Sequence, residues 1–165
     1  MTDPTSAPTS ESAMEHGRIV VGVDGSEPSL HALRWAARQA QLTGAALETV
    51  IAWELPSAYG WGGMPGLPQD VDLGAPAAQA LSDAVQATLP PEQAKAVTEV
   101  VVMGNAAQAI LDRGEGAELI VVGVRGRGTF RATLLGSVSH TVTVHATCPV
   151  VVVRGTAEQS DQVEG

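Results

Sequence analysis

Apolar, β-branched runs alternate along this chain with stretches whose apolar residues recur every three or four positions. The runs are Arg18-Ile19-Val20-Val21-Gly22-Val23, Leu47 to Trp53, Val97 to Val102, Leu119 to Val122 and Val150 to Val153. Each reads as a short buried strand. Leu30, Leu33, Ala37 and Ala40 mark one face of a first helix, with Pro28 in its first turn and Gly44 at its stop. Ala77, Ala80, Leu81, Ala84 and Val85 mark a second helix, ended by Pro90-Pro91. Asn105 can cap a third helix carrying Ala106, Ala109 and Ile110, and a short helix runs from about Gly136 to His145. Strand and helix alternate throughout, which predicts an α/β fold with a parallel sheet and helices on both faces. Ligands of such sheets bind at the carboxyl ends of the strands, where the strand order reverses.

Composition sharpens this picture. A chain of 165 residues argues for one domain, and 44 % apolar residues can fill its core. Aromatics are 3 %, so that core is built from Val, Ile, Leu and Ala. Residues 1–16 and 156–165 are polar and read as disordered tails around a body at 17–155. The net charge of −9 argues against nucleic acid and anionic membranes as partners. Much of it sits at the ends, in Asp3, Glu11, Glu15, Glu158, Asp161 and Glu164, so the middle is less acidic. Cys148 is the only cysteine, which excludes an intrachain disulfide. The opening MTDPTSAPTS does not read as a signal peptide, and no apolar run approaches the ~20 residues of a membrane span. The expected compartment is the cytoplasm. Residues 54–72 are rich in Gly and Pro, with Trp53, Tyr59 and Trp61 close together. This long loop is either variable surface or a lid.

The candidate chemistry lies in Gly123-Val124-Arg125-Gly126-Arg127-Gly128 and, eight residues later, Gly136-Ser137-Val138-Ser139. This segment leaves the fourth strand and enters a helix. Glycine lets a ligand approach the main chain. A helix start offers unpaired N–H groups and a favourable dipole to anions. The Ser137 and Ser139 hydroxyls can donate to phosphate oxygens, and Arg125, Arg127 and Arg131 add positive charge. The same residues also suit a flexible, solvated loop, but the place at a strand's carboxyl end favours an anion site. No Gly-Lys-Ser/Thr follows, so this is not a P-loop, nor does the first turn carry a dinucleotide fingerprint. No catalytic arrangement and no metal-ligand spacing emerges. His31, His140 and His145 fall on helices without a second ligand and read as structural. Cys148 precedes Pro149 and reads as buried, and Asp112 and Glu115 read as a solvated face.

Gly123, Gly126, Gly136 and Ser137 match a specific pattern: Gly, two residues, Gly, nine residues, Gly, then Ser or Thr. This resembles the ATP-binding signature of the universal stress protein family. VVGVDGSEPSLHALRWAARQA near the start and HATCPVVVVR near the end resemble the same family, so the likeness covers about residues 17–154. It implies a Rossmann-like open five-stranded sheet in the order 3-2-1-4-5. It implies that Gly22 and Val23 line the base, that Asp24 lies near adenine and ribose, and that the main chain at Ala52 recognises adenine. Gly123 and Gly126 are then beneath ribose and phosphates, and Gly136, Ser137, Val138 and Ser139 form the phosphate-binding helix start. Asp24 also reads as a turn residue in Asp-Gly-Ser that caps the next helix, and the two readings are compatible. ATP with Mg²⁺ is the expected ligand, and valine at Gly123 or Gly136 is expected to block the phosphates.

The resemblance implies a nucleotide-dependent regulatory protein acting in stress response, with an unknown protein partner. It also implies a homodimer through strand 150–153, which a proline at Val151 is expected to weaken. The alternatives are a slow ATP-hydrolysing or nucleotidyl-transfer enzyme on the same sheet, and a flavoprotein-like electron carrier. The first lacks its Ser-Gly-Gly-type loop after strand one, which here reads Asp-Gly-Ser-Glu. The second would want a site for an isoalloxazine ring.

Overall fold

The computed structural model describes residues 17–55, 71–125 and 135–155. In chain order the elements are β1 (Arg18–Gly22), α1 (Glu27–Thr43), β2 (Ala46–Trp53), α2 (Ala75–Thr88), α3 (Pro91–Ala96), β3 (Thr98–Met103), α4 (Ala106–Gly114), β4 (Leu119–Gly123), α5 (Ser137–His145) and β5 (Val150–Val153). The strands form one sheet in the order β3-β2-β1-β4-β5. Every pairing is parallel. The expected Rossmann-like α/β fold and its strand order are therefore present. Both tails, most of loop 54–72, and Gly126, Arg127 and Arg131 lie outside the described residues.

The start and stop signals act as the sequence suggests, except that the cap of α1 expected at Asp24 falls two residues later. Ser26 caps α1 by accepting from the Ser29 N–H, Pro28 sits in the first turn, and Gly44 ends the helix with φ 75°. That left-handed conformation is cheap only for glycine. Asn105 caps α4 by accepting from the Gln108 N–H. One expectation needs amending. Pro90-Pro91 ends α2, but Pro91 also opens the unforeseen helix α3. A proline's missing N–H and fixed φ suit the first helical position as well as a stop.

Side chains alternate across the sheet and fill two cores. Ile19, Val21 and Val121 face α1 and α2, where they meet Leu33, Ala36, Leu81 and Val85. Val20, Val50, Ile120 and Val122 face α4 and α5, where they meet Ile110 and Val142. Alanines at 32, 36 and 37 of α1 are buried and let that helix approach the sheet closely. The order reverses between β1 and β4, and there the two helix layers part at the carboxyl ends. No helix among the described residues is long and apolar enough to cross a membrane.

Candidate functional site

A cleft opens where the helix layers part. Its floor is the carboxyl ends of three strands: Gly22 to Asp24 after β1, Val50 to Ala52 of β2, and Val122 and Gly123 of β4. Ala106 and Ile110 of α4 form one side, Val138 and Ser139 of α5 another, and Arg125 stands at the mouth. Gly22, Val23, Asp24, Ala52, Gly123, Arg125, Val138 and Ser139 thus share one cleft, as the sequence reading places them. Gly136 and Ser137 begin α5 next to it but do not line it. Gly126 and Arg127 fall outside the described residues. Ser29, Ala106 and Ile110 line the cleft without having been anticipated. Ala106 and Ile110 had a readable signal: they are four residues apart, on one face of a helix whose cap was recognised.

The two glycines at the strand ends are small for opposite reasons. A Cβ on Gly22 would lie 2.5 Å from Cδ1 of Ile110, on the α4 side. A Cβ on Gly123 would lie 2.6 Å from the carbonyl carbon of Pro28 and 2.7 Å from its oxygen, on the α1 side. Gly123 therefore admits the main chain of α1's first turn. A valine there collides with protein backbone, so it reports on folding before it reports on phosphates.

The turn after β1 is tied by a polar network. Oδ1 of Asp24 accepts from the Ser26 N–H at 2.9 Å and from the Ser26 hydroxyl. The Ser29 hydroxyl donates to the Ser26 carbonyl at 2.8 Å and accepts from the Asp24 N–H at 3.3 Å. Gly25 bridges the turn with φ 80°. The cap on α1 is Ser26 and not Asp24, whose carboxylate shapes the turn before it. Ser139 is likewise held: it is buried, and its hydroxyl donates to the Gly123 carbonyl at 2.6 Å. That bond ties α5 to the end of β4 and leaves the hydroxyl oxygen as an acceptor. Gly136 donates to Val124 O at 2.9 Å, and among the described residues no side chain caps the first turn of α5. An uncapped helix start keeps N–H groups for an anion.

A second polar cluster lies toward the amino ends of the strands. Glu48 of β2 is 5 % exposed and receives Arg113 of α4 in a two-pronged pair, Nε to Oε1 at 2.6 Å and Nη2 to Oε2 at 2.7 Å. Arg18 adds a longer contact at 3.3 Å and also donates to the Glu115 carbonyl. Burial pushes the Glu48 carboxyl up, but the hydrogen bonds and charge of Arg113, then of Arg18, outweigh it and hold the group below its ordinary value. The bond to Glu48 in turn raises the Arg113 guanidinium. Burial pushes the half-buried Cys148 thiol up, which suits a packing residue and not a nucleophile. Among the described residues no three His, Cys, Asp or Glu side chains form a metal site.

A model of the universal stress protein family matches residues 15–154. A universal stress protein of Mycobacterium tuberculosis is 36 % identical over 152 residues, covering 87 % of this chain and 48 % of that protein. One from Mycolicibacterium smegmatis is 33 % identical over 149 residues, covering 88 % and 50 %. The chain thus spans about half the length of the curated relatives it matches. Among solved structures, a universal stress protein in complex with cAMP is 27 % identical with TM-score 0.60, covering 85 % of this chain and 98 % of that one. The universal stress protein from Archaeoglobus fulgidus in complex with dAMP is also 27 % identical with TM-score 0.60, covering 85 % and 99 %.

Proposed function

The chain belongs to the universal stress protein family, and on that premise we propose that it is a regulatory protein that binds ATP, with Mg²⁺ carried on the phosphates, and acts in stress response through nucleotide-dependent contacts. The observation that carries this reading is the convergence of Gly22, Val23, Asp24, Ala52, Gly123 and Val138 on one cleft at the switch point of the sheet. The adenine-nucleotide complexes of two relatives at 27 % identity support the class of ligand. The base is expected between β1 and β2, where Ala52 offers main-chain groups, and the phosphates toward the start of α5. There the N–H groups of α5's first turn, Ser137 and Arg125 supply donors and charge, and Gly136 lets the phosphates approach the main chain. Within this reading Gly126 and Arg127 continue the phosphate loop.

Denaturing the purified protein and identifying the released nucleotide tests the proposal, followed by calorimetry with ATP, AMP and GTP. Tighter binding of ATP than of GTP is expected. A folded protein that binds none of the adenine nucleotides overturns it.

We further propose a homodimer through strand 150–153. Ile120 N–H donates to Pro149 O and Val124 N–H to Val153 O. Main-chain groups alternate in direction along a strand, so those of Val151 face β4 while those of Val150 and Val152 face outward. Val151→Pro therefore damages the sheet itself, and Val152→Pro is the change that removes an outward donor. Light scattering at tens of micromolar is expected to show a dimer in the wild type and a weakened one in Val152→Pro. A monomeric wild type sinks the idea.

A further inference from the structure

Ala106, Ile110 and Arg113 lie on one face of α4, spaced by four and then three residues. The first two line the cleft, and the third grips Glu48. Strand β2 repeats the arrangement: Glu48 is two residues before Val50, which with Ile51 and Ala52 forms the cleft floor. One strand and one helix therefore contribute two walls of the cleft and are joined to each other away from it. Between the two points, Ile110 rests against the main chain of Gly22, where no side chain intervenes. The helix touches the sheet at Gly22 and is fixed in direction at Glu48.

We infer that Glu48 and Arg113 are positioning residues for the nucleotide cleft, acting through α4. A two-pronged guanidinium–carboxylate pair fixes both distance and angle, whereas apolar packing fixes distance alone. A buried carboxylate is strongly disfavoured without its partner, so the pair resists stretching. Tilting of α4 about the Ile110–Gly22 contact moves Ala106 and Arg113 in opposite senses. Holding Arg113 thus holds the cleft wall.

This inference rests on the reading of the cleft as a nucleotide site, and the test separates the two. Calorimetry with ATP and AMP compares the wild type, Arg113→Lys, and the double variant Glu48→Met with Arg113→Leu. An apolar exchange of a buried ion pair commonly preserves stability, so the double variant keeps the fold while losing the directional link. Binding about tenfold weaker for both nucleotides is expected in the double variant, with Arg113→Lys between it and the wild type. Similar losses are expected because the variants leave the residues at the phosphate end unchanged.

Folded variants that bind as the wild type does overturn the inference, as does a loss confined to ATP. Should the double variant not fold, Arg113→Lys decides alone, and unchanged affinity overturns the inference. A wild type that binds neither nucleotide sinks the reading of the cleft instead. Amide exchange at Ala107, Ala109 and Ile110 then reads the link, and equal rates in wild type and Arg113→Lys overturn it.

Discussion

At their carboxyl ends β1 and β4 finish on Gly22 and Gly123, and the space there is shaped by side chains that are absent. Toward the amino ends of the same sheet, β2 buries Glu48 beneath Arg113 and Arg18, and the space is shaped by charge. The first construction lets neighbouring helices close on the strand main chain and is sensitive to any added atom. The second fills its space and is sensitive to any lost partner. Both ends bear on α4: Gly22 admits Ile110, and Glu48 holds Arg113. The comparison separates two kinds of glycine as well. Gly22 meets the flexible tip of a side chain, whereas Gly123 meets backbone that cannot move without shifting α1.

The largest effect should come from forcing the carboxyl end. Gly123→Val places its side chain against Pro28 main chain, and overpacking of this kind costs about 3 kcal/mol. Gly22→Ala crowds Ile110 and touches Val122 at an ordinary 3.8 Å, so a second change, Ile110→Val, should recover most of its smaller loss. Urea denaturation of the three variants checks the contrast. Equal losses for Gly123→Val and Gly22→Ala, or no recovery in the double variant, would break the distinction between the glycines. Because of this cost, Gly123→Val is a poor probe of phosphate binding.

The next effect belongs to the charged end. Arg113→Ala leaves Glu48 buried with only the longer Arg18 contact. Removing one partner of a fully buried pair costs about 3–5 kcal/mol, but Arg113 is 40 % exposed, so about 2 kcal/mol is expected. The pH dependence has a definite sign. A carboxyl whose folded pKa is depressed contributes stability above its ordinary value of 4.5 and loses it as pH falls through the lowered folded value. Denaturation midpoints of the wild type should therefore drop more steeply than those of Glu48→Gln between neutral pH and about pH 3. Parallel curves would show that Glu48 is not the group that titrates.

The two ends were not equally legible in the sequence. The strands announce themselves as β-branched runs, and Pro28, Asn105 and Gly44 mark helix ends, because these signals act within a few residues. The glycines from the end of β4 onward were legible as a spacing, of which Gly123 lines the cleft while Gly136 and Ser137 begin α5 beside it. What the spacing does not carry is the direction in which Gly123 lacks a side chain, since that depends on where α1 crosses. Glu48 sits in an apolar run, and its partner Arg113 is 65 residues away. Nothing local distinguishes that arginine from a solvated one. The helix α3 was hidden by Pro91, because proline marks a stop and a start with the same residue. Ser139 was read as a phosphate donor from its place at a helix start, while its hydroxyl proton is directed at Gly123 O.

The smallest effect should come from the turn after β1, at the carboxyl end. Ser26 caps α1 and also donates its hydroxyl to Asp24. Loss of an N-cap hydroxyl costs about 1 kcal/mol, and Ser26→Ala should stay near that figure. The turn is doubly held: the Ser29 hydroxyl still bridges the Asp24 N–H and the carbonyl at position 26. Removing both hydroxyls, in Ser26→Ala with Ser29→Ala, should therefore cost more than the sum of the single changes. Ser26→Asp restores a capping oxygen but sets a second carboxylate beside Asp24, so it should recover only part of the loss. Chemical denaturation of the four variants reads this directly. Strictly additive losses would mean that the two serines act separately. The turn would then be held by Gly25 and the strand end, as the rest of the carboxyl end is, through backbone shape alone.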